Sequence, residues 1–272
     1  MTIEIETLAV VLRDAAKAEI VPRFRRLDEG MVRQKTEAID LVTEADEAAE
    51  RVISMRLHDL APGALVVGEE AVAADPPLLA KLGTADYAIT VDPVDGTANF
   101  AAGLPAFAVM AAVIRHSEVV GGVIYDPMGD DWLMAERGGG AWLVFPDGRR
   151  IRQAWADPVP LNQMVGCSSV FLLPHAKRRP ILSNLDKIRL NASYRCAGHE
   201  YRMAMGGHLH FLMYGKLMPW DHLPGTMIAQ EAGAYFRRLD GSPYLPSHTE
   251  GGLIVTSDQA SFETLRKEVF TI

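Results

Sequence analysis

The chain has 272 residues, room for one large domain or two small ones, and 49% of them are hydrophobic, so it can bury a sizeable core. A net charge of −8 argues against a general nucleic-acid surface, which carries a basic stripe. It admits phosphorylated substrates, because a metal ion reverses the sign of an acidic pocket.

Residues 4–26 are expected to form a helix, with Leu8, Val11, Leu12, Ala15 and Ala16 at helical spacing. Here the N-terminus shows neither the apolar core nor the cleavage site of a signal peptide. "TEADEAAERVISMRLHDL", 43–60, reads as a second helix opened by a capping box of Thr43 and Asp46. "ALVVGEE" and "YAITVDP" are short β-rich runs that end in carboxylates. From Phe107 to Phe145 four apolar segments separated by polar turns predict an antiparallel meander. "PHAKRRPILSNLDKI" looks helical, "ASYRCA" strand-like, "EYRMAMGG" a short helix and "LHFLMYG" a strand. "PWDHLPGTMIAQEAG" then reads as a helix and "AYFRRLDG" as a strand. Without repeats or an obvious linker, this alternation predicts a mixed α/β unit with two pseudo-domains sharing a cleft. Cys167 and Cys196 make no disulfide framework, and no apolar run approaches the ~20 residues of a membrane span. A reduced cytoplasmic setting, away from the membrane, is expected.

Carboxylates recur where strands end, at Glu69–Glu70, at Asp92 and Asp95, and at Asp221. Strand ends share one edge of a sheet, and carboxylates that converge there repel unless protonated or neutralised by cations. Oxygen-only ligands suit a hard cation, Mg²⁺ or Mn²⁺. Several carboxylates can hold two metals ~3.5–4 Å apart, the clamp for an in-line phosphoryl displacement. Gly96–Thr97, at the head of the helix-like "TANF", would aim backbone amides at a phosphate. Each feature also has an ordinary reading. "DPVDGT" is normal turn chemistry, Asp46 and Asp221 can be helix caps, and a lone Glu69 after a strand can simply be solvated at the surface.

"VGEE" at 67–70, "VDPVDGTANF" at 91–100 and "WDHLPGTMIAQEAG" at 220–233 resemble, in order, the three motifs of the inositol monophosphatase family. "DLVTEAD" at 40–46 and "VIYDPMGDDWLMAERGGGAWL" at 123–143 are similar to its N-terminal motif and central meander. The resemblance covers nearly the whole chain. It implies one domain over 1–272, a layered α-β-α-β-α sandwich, and Mg²⁺-dependent, lithium-sensitive hydrolysis of small phosphomonoesters by a cytoplasmic homodimer. By position, Glu69, Asp92 and the Val94 carbonyl would hold the first metal and Asp92, Asp95 and Asp221 the second. Glu69 would share a third through water. Thr97, supported by Asp46, would orient the attacking water and help deprotonate it, with Glu69 counted among the catalytic groups. Gly96 and Thr97 amides would bind phosphate, and Lys35 would sit near a mobile N-terminal loop.

On the substrate side, the position of an inositol-contacting Glu in animal members is taken by Tyr214. Gly198, His199 and Glu200 are further candidate contacts, and Glu200 stands in for the missing carboxylate or simply begins a helix. Fructose 1,6-bisphosphate, histidinol phosphate and bisphosphate nucleotides are the substrates of sister enzymes. Bacterial relatives of the extragenic suppressor group associate with transcription machinery, so a regulatory binding protein is the competing class. His208 and His210 lack further zinc ligands nearby and are read as structural or surface residues; "RGGG" at 137–140 is read as a hairpin.

Overall fold

The computed structural model describes residues 2–28, 30–35 and 41–271. The chain opens with α1 (Ile5–Ala15), β1 (Val32–Gln34), β2 (Leu41–Thr43), α2 (Glu44–Leu60) and β3 (Leu65–Gly68). Two short helices, α3 (Glu69–Ala74) and α4 (Pro77–Lys81), lead into β4 (Tyr87–Asp95) and α5 (Thr97–Ala101). A run of strands follows: β5 (Ala108–Arg115), β6 (Glu118–Asp126), β7 (Asp131–Glu136), β8 (Gly140–Val144), β9 (Arg150–Arg152) and β10 (Val165–Ser168). The rest comprises α6 (His175–Asn184), β11 (Leu190–Ala192), α7 (Ala197–Met205), β12 (Phe211–Tyr214) and α8 (Pro219–Glu231), then β13 (Tyr235–Arg238), β14 (Leu253–Thr256) and α9 (Gln259–Glu268).

Strands β3 to β9 form a seven-stranded sheet in sequence order, antiparallel after the parallel β3–β4 pair. The expected meander is its larger part, and "RGGG" is the β7–β8 hairpin turn. A second sheet runs β11-β10-β12-β14-β13. Three apolar cores lie between these layers, because strand side chains alternate between two faces. Tyr87, Ile89, Val91, Val109 and Ala111 pack with Leu8, Leu12 and Ile53 of α1 and α2. From the opposite face Ala88, Met110, Ala112 and Ile124 meet Tyr201 and Ile228 of α7 and α8, and beyond them Leu212 and Val255 of the second sheet. That sheet's far side, Phe211, Met213 and Ile254, packs on Ile181 of α6 and Phe262 of α9. The order is therefore α-β-α-β-α, the layered sandwich that was expected.

Helix 44–60 and its capping box form as read: Ala45 N donates to Thr43 Oγ1, and Asp46 accepts from the Thr43 amide. Three expectations need correction. The helix expected over 4–26 is regular only to Ala15 and continues as a wider turn to Ile20 and a tight one over Val21–Arg23. Pro22 has no N–H to donate, which removes one rung of a regular helix there. "ASYRCA" is a strand only through Ala192; Arg195 takes a left-handed φ of 54° and the chain turns into α7. Asp221 lies not at a strand end but in the first turn of α8. No helix among the described residues is long and apolar enough to cross a membrane.

Candidate active site

Asp92 and Asp95 are three apart, so in a regular strand they would face opposite sides. A bulge changes this: Asp92 lies opposite Met110 and Asp95 opposite Ala108, so three steps along β4 match two along β5. Both carboxylates then face the middle layer, where α7 and α8 begin. Asp92 meets Glu69 from the start of α3 and Asp221 from α8, with one carboxylate oxygen of each within 4.8 Å of the others. Burial, then the charges of Glu69, Asp95 and Asp221, hold the Asp92 carboxyl well above its usual range. Asp221 is driven up the same way, by burial and then by Glu69 and Asp95. Three carboxylates this close repel one another unless protons or cations neutralise them, and an all-oxygen donor set fits a hard divalent ion.

Asp95 is held differently. Its oxygens accept hydrogen bonds from the amides of Ala197 (3.1 Å) and Gly198 (2.6 Å) and from Cys196 Sγ (3.0 Å). These bonds oppose the burial that raises its carboxyl. Asp95 thus stands outside the close triad and docks the start of α7 on β4. Val94 O accepts from Thr97 Oγ1 at 2.9 Å.

Gly96 follows with a φ of 88°, and a Cβ there would sit 2.8 Å from Ala106 O, so glycine is required on both counts. The turn starts α5 and presents Thr97, whose hydroxyl also lies 3.0 Å from Asp46 Oδ1. The other Asp46 oxygen takes the Thr43 amide at 2.9 Å and the Thr43 hydroxyl at 2.5 Å. Asp46 is 1% exposed, and burial pushes its carboxyl up to about 7 against the hydrogen bonds from Thr43. A carboxyl with that value exchanges protons readily near neutral pH. Asp46 is both helix cap and partner of Thr97, two roles the sequence suggested and the geometry makes compatible.

Lys35 is placed more specifically than expected. Its ammonium lies 2.8 Å from Glu69 Oε1 and 2.6 Å from Glu70 Oε1, bringing a cation against the acidic cluster. Residues 36–40, including Asp40 of the "DLVTEAD" motif and the mobile loop expected near Lys35, lie outside the described residues.

Gly198, His199, Glu200 and Tyr214 are each engaged by other parts of the chain. The Gly198 amide is engaged by Asp95, and a Cβ there would meet Ala108 Cβ at 2.7 Å, so this glycine serves close packing. His199 Nε2 pairs with Phe107 O at 3.1 Å, and its ring lines a separate hollow beside Asp126 and Arg202. Glu200 is 3% exposed and turns inward to accept the Tyr194 amide at 2.8 Å, with burial raising its carboxyl to about 7. It fixes the loop before α7 and does not reach into solvent to replace a polyol-binding carboxylate. Tyr214 is also buried, its ring 4.3 Å from that of His222. Its hydroxyl is near enough to Glu200 to favour the charged carboxylate, but forms no regular hydrogen bond. His210 is structural, as read: its Nδ1 accepts from Val165 N at 3.1 Å.

Three participants escaped the sequence. Asn99 donates to Ala106 O and Tyr194 O, tying α5 to the second half. Cys196, read there only as outside any disulfide framework, is a partner of Asp95. Glu50, buried below the site, accepts the amides of Glu70 and Ala71. Only Glu50 had a signal: with Thr43 and Asp46 it forms an i, i+3, i+7 set on one face of α2.

The model described as the inositol monophosphatase family matches residues 4–270, and the chain belongs to that family. It is 32% identical over 273 residues to the Nus factor SuhB of Pseudomonas aeruginosa, covering 95% of this chain and 93% of that one. With the fructose-1,6-bisphosphatase/inositol-1-monophosphatase of Thermotoga maritima it shares 30% identity over 217 residues, 77% and 76% of the two chains. A solved IMPase/NADP phosphatase, complexed with Mg²⁺ and phosphate, superposes with a TM-score of 0.79 at 17% identity, over 98% of this chain and 97% of that one. The chain is a phosphatase.

Proposed function

We propose that the protein hydrolyses a small phosphomonoester, inositol 1-phosphate or a related sugar or polyol phosphate, with Mg²⁺ or Mn²⁺ held by its acidic cleft. The observation that carries this reading is the approach of Glu69, Asp92 and Asp221 within 4.8 Å in a partly buried site. In this reading the chain is one phosphatase domain, a cytoplasmic homodimer sensitive to lithium, with its site between the two halves. Glu69, Asp92 and the Val94 carbonyl would hold a first cation; Asp92, Asp95 and Asp221 would hold a second, and Glu69 would share a third through water. Asp95 already accepts three hydrogen bonds, but two carboxylate oxygens offer about four acceptor sites, so a cation can still be shared.

The cations supply Lewis-acid stabilisation of phosphate oxygens and a more acidic water. The chain's own groups do the rest. Thr97 Oγ1, aligned by Asp46 and Val94 O, orients the attacking water, and Asp46 accepts its proton through the hydroxyl. Gly96 and Thr97 amides hold the phosphate. Lys35, paired with Glu69 and Glu70, would place a positive charge beside the phosphate. The Mg²⁺ and phosphate in the solved relative support this cofactor and substrate class.

A second reading has a specific observation behind it. The match to a Nus factor runs over nearly the whole chain, which supports a regulatory binding role as the competing reading. One experiment separates the two. Phosphate release is measured on inositol 1-phosphate, fructose 1,6-bisphosphate, histidinol phosphate, adenosine 3′,5′-bisphosphate and 2-glycerophosphate, with Mg²⁺, EDTA, or Mg²⁺ plus Li⁺. Turnover that needs Mg²⁺ and ranks a polyol or sugar phosphate first is expected. No turnover at any metal concentration would favour the binding role.

A further inference from the structure

We propose that Glu50 is a positioning residue, which clamps the turn carrying Glu69 and so sets the direction of that carboxylate toward Asp92 and Asp221. The inference rests on the metal-site reading above. Glu50 is 5% exposed, on the face of α2 toward the site. Its two oxygens accept one amide each, Oε2 from Glu70 at 2.8 Å and Oε1 from Ala71 at 2.7 Å. These donors sit in the first turn of α3, where amides lack partners inside the helix. The residue before α3 is Gly68, which offers no side-chain cap. A Cβ on Gly68 would lie 2.2 Å from Glu50 Cδ, so the glycine makes space for a carboxylate arriving from another helix.

The choice of a carboxylate is informative. Burial, and after it the charges of Glu70 and Glu69, raise the cost of a negative charge here, and a hydroxyl or amide would cap α3 without that cost. What the carboxylate alone supplies is two acceptors in a fixed plane, so the amides of the Glu69–Glu70 and Glu70–Ala71 peptides are held together and the first turn of α3, which carries Glu69, is fixed. Four residues upstream a second carboxylate of α2, Asp46, accepts the Thr97 hydroxyl. Helix α2 therefore aims both the metal-side and the water-side groups.

The test is Mn²⁺ binding to the full chain, read from the electron paramagnetic resonance of free Mn²⁺, with thermal melting as a folding control. The variants are Glu50→Gln, Glu69→Gln and the double variant. Gln keeps size but turns an NH₂ toward a backbone N–H, so Glu50→Gln should weaken Mn²⁺ binding roughly ten- to a hundred-fold. In the Glu69→Gln background the same change should have no further effect, because the group being aimed is gone. If Glu50→Gln does not fold, Gly68→Ala displaces the carboxylate without removing it and should give the same loss. Wild-type affinity in Glu50→Gln, or an equal loss with and without Glu69, would overturn the assignment. Absence of Mn²⁺ binding by the wild-type chain would instead overturn the metal-site reading itself.

Discussion

Replacing Asp92 by Asn should inactivate the protein while stabilising its metal-free form, and the stabilisation should grow with pH. Oxygens of Asp92, Glu69 and Asp221 lie within 4.8 Å, a spacing at which two full charges repel by about 3.5 kcal/mol at an effective dielectric of 20. Burial, then the charges of Glu69, Asp95 and Asp221, hold the Asp92 carboxyl well above its usual 3.8, which favours its protonated form in the metal-free fold. The sign follows from proton linkage. Above pH 3.8 the unfolded chain releases this proton and the folded one retains it, so stability falls by up to about 1.4 kcal/mol per pH unit until the raised value is passed. Proton uptake caps the penalty at about 1.6 kcal/mol at pH 5 and about 4.4 kcal/mol at pH 7. Asn removes the penalty and keeps an oxygen for the Val94 amide, which Asp92 Oδ1 now accepts at 3.0 Å. Urea unfolding in EDTA at pH 5 to 8, followed by circular dichroism, should show the variant gaining on wild type across the series. Mg²⁺ should stabilise wild type far more than the variant, and phosphate release should drop more than about a hundred-fold. A variant less stable than wild type at every pH, or a gap that does not change with pH, would refute the reasoning.

Thr97→Val should cost at least about a hundred-fold in kcat with unchanged folding, and Thr97→Ser should recover most of it, since only the hydroxyl on Asp46 matters. Tyr214→Phe should leave the ranking of the phosphate panel unchanged and cost no more than about 1 kcal/mol in urea unfolding, because the buried hydroxyl makes no regular hydrogen bond. Away from the site, Asp130→Asn should cost about 1 kcal/mol at pH 7, allowing for solvent screening of its half-exposed pairs with Arg13 and Lys17. Hydrogen bonds from Arg13 chiefly hold this carboxyl below its usual 3.8. That contribution is present above pH 3.8 and disappears as pH falls further, so unfolding curves of the two proteins should converge in acid.

Much of this arrangement is legible in the sequence because its elements are local. Thr43 and Asp46 form a capping box within one turn, and Gly96 announces the turn that ends β4. The meander from Phe107 shows as apolar runs between turns, each of which pairs with its sequence neighbour. What stayed hidden depends on distant backbone. The β4 bulge that turns Asp95 to the same side as Asp92 is visible only against β5. Glu200 reads as a possible substrate acid, yet its carboxylate is spent on the Tyr194 amide six residues back. Glu50 looks like one more helix acid until the amides of α3 arrive beside it. Short strands such as Val32–Gln34 and Leu41–Thr43 have too few residues to display a period, and form because they pair with each other.

The most direct test of the account is an anomalous difference map from crystals of the protein soaked in Mn²⁺. The account predicts density between Glu69, Asp92 and Asp221, with Lys35 moved off Glu69. A map without density there, from crystals of a protein that hydrolyses phosphomonoesters only with divalent cations, would contradict it.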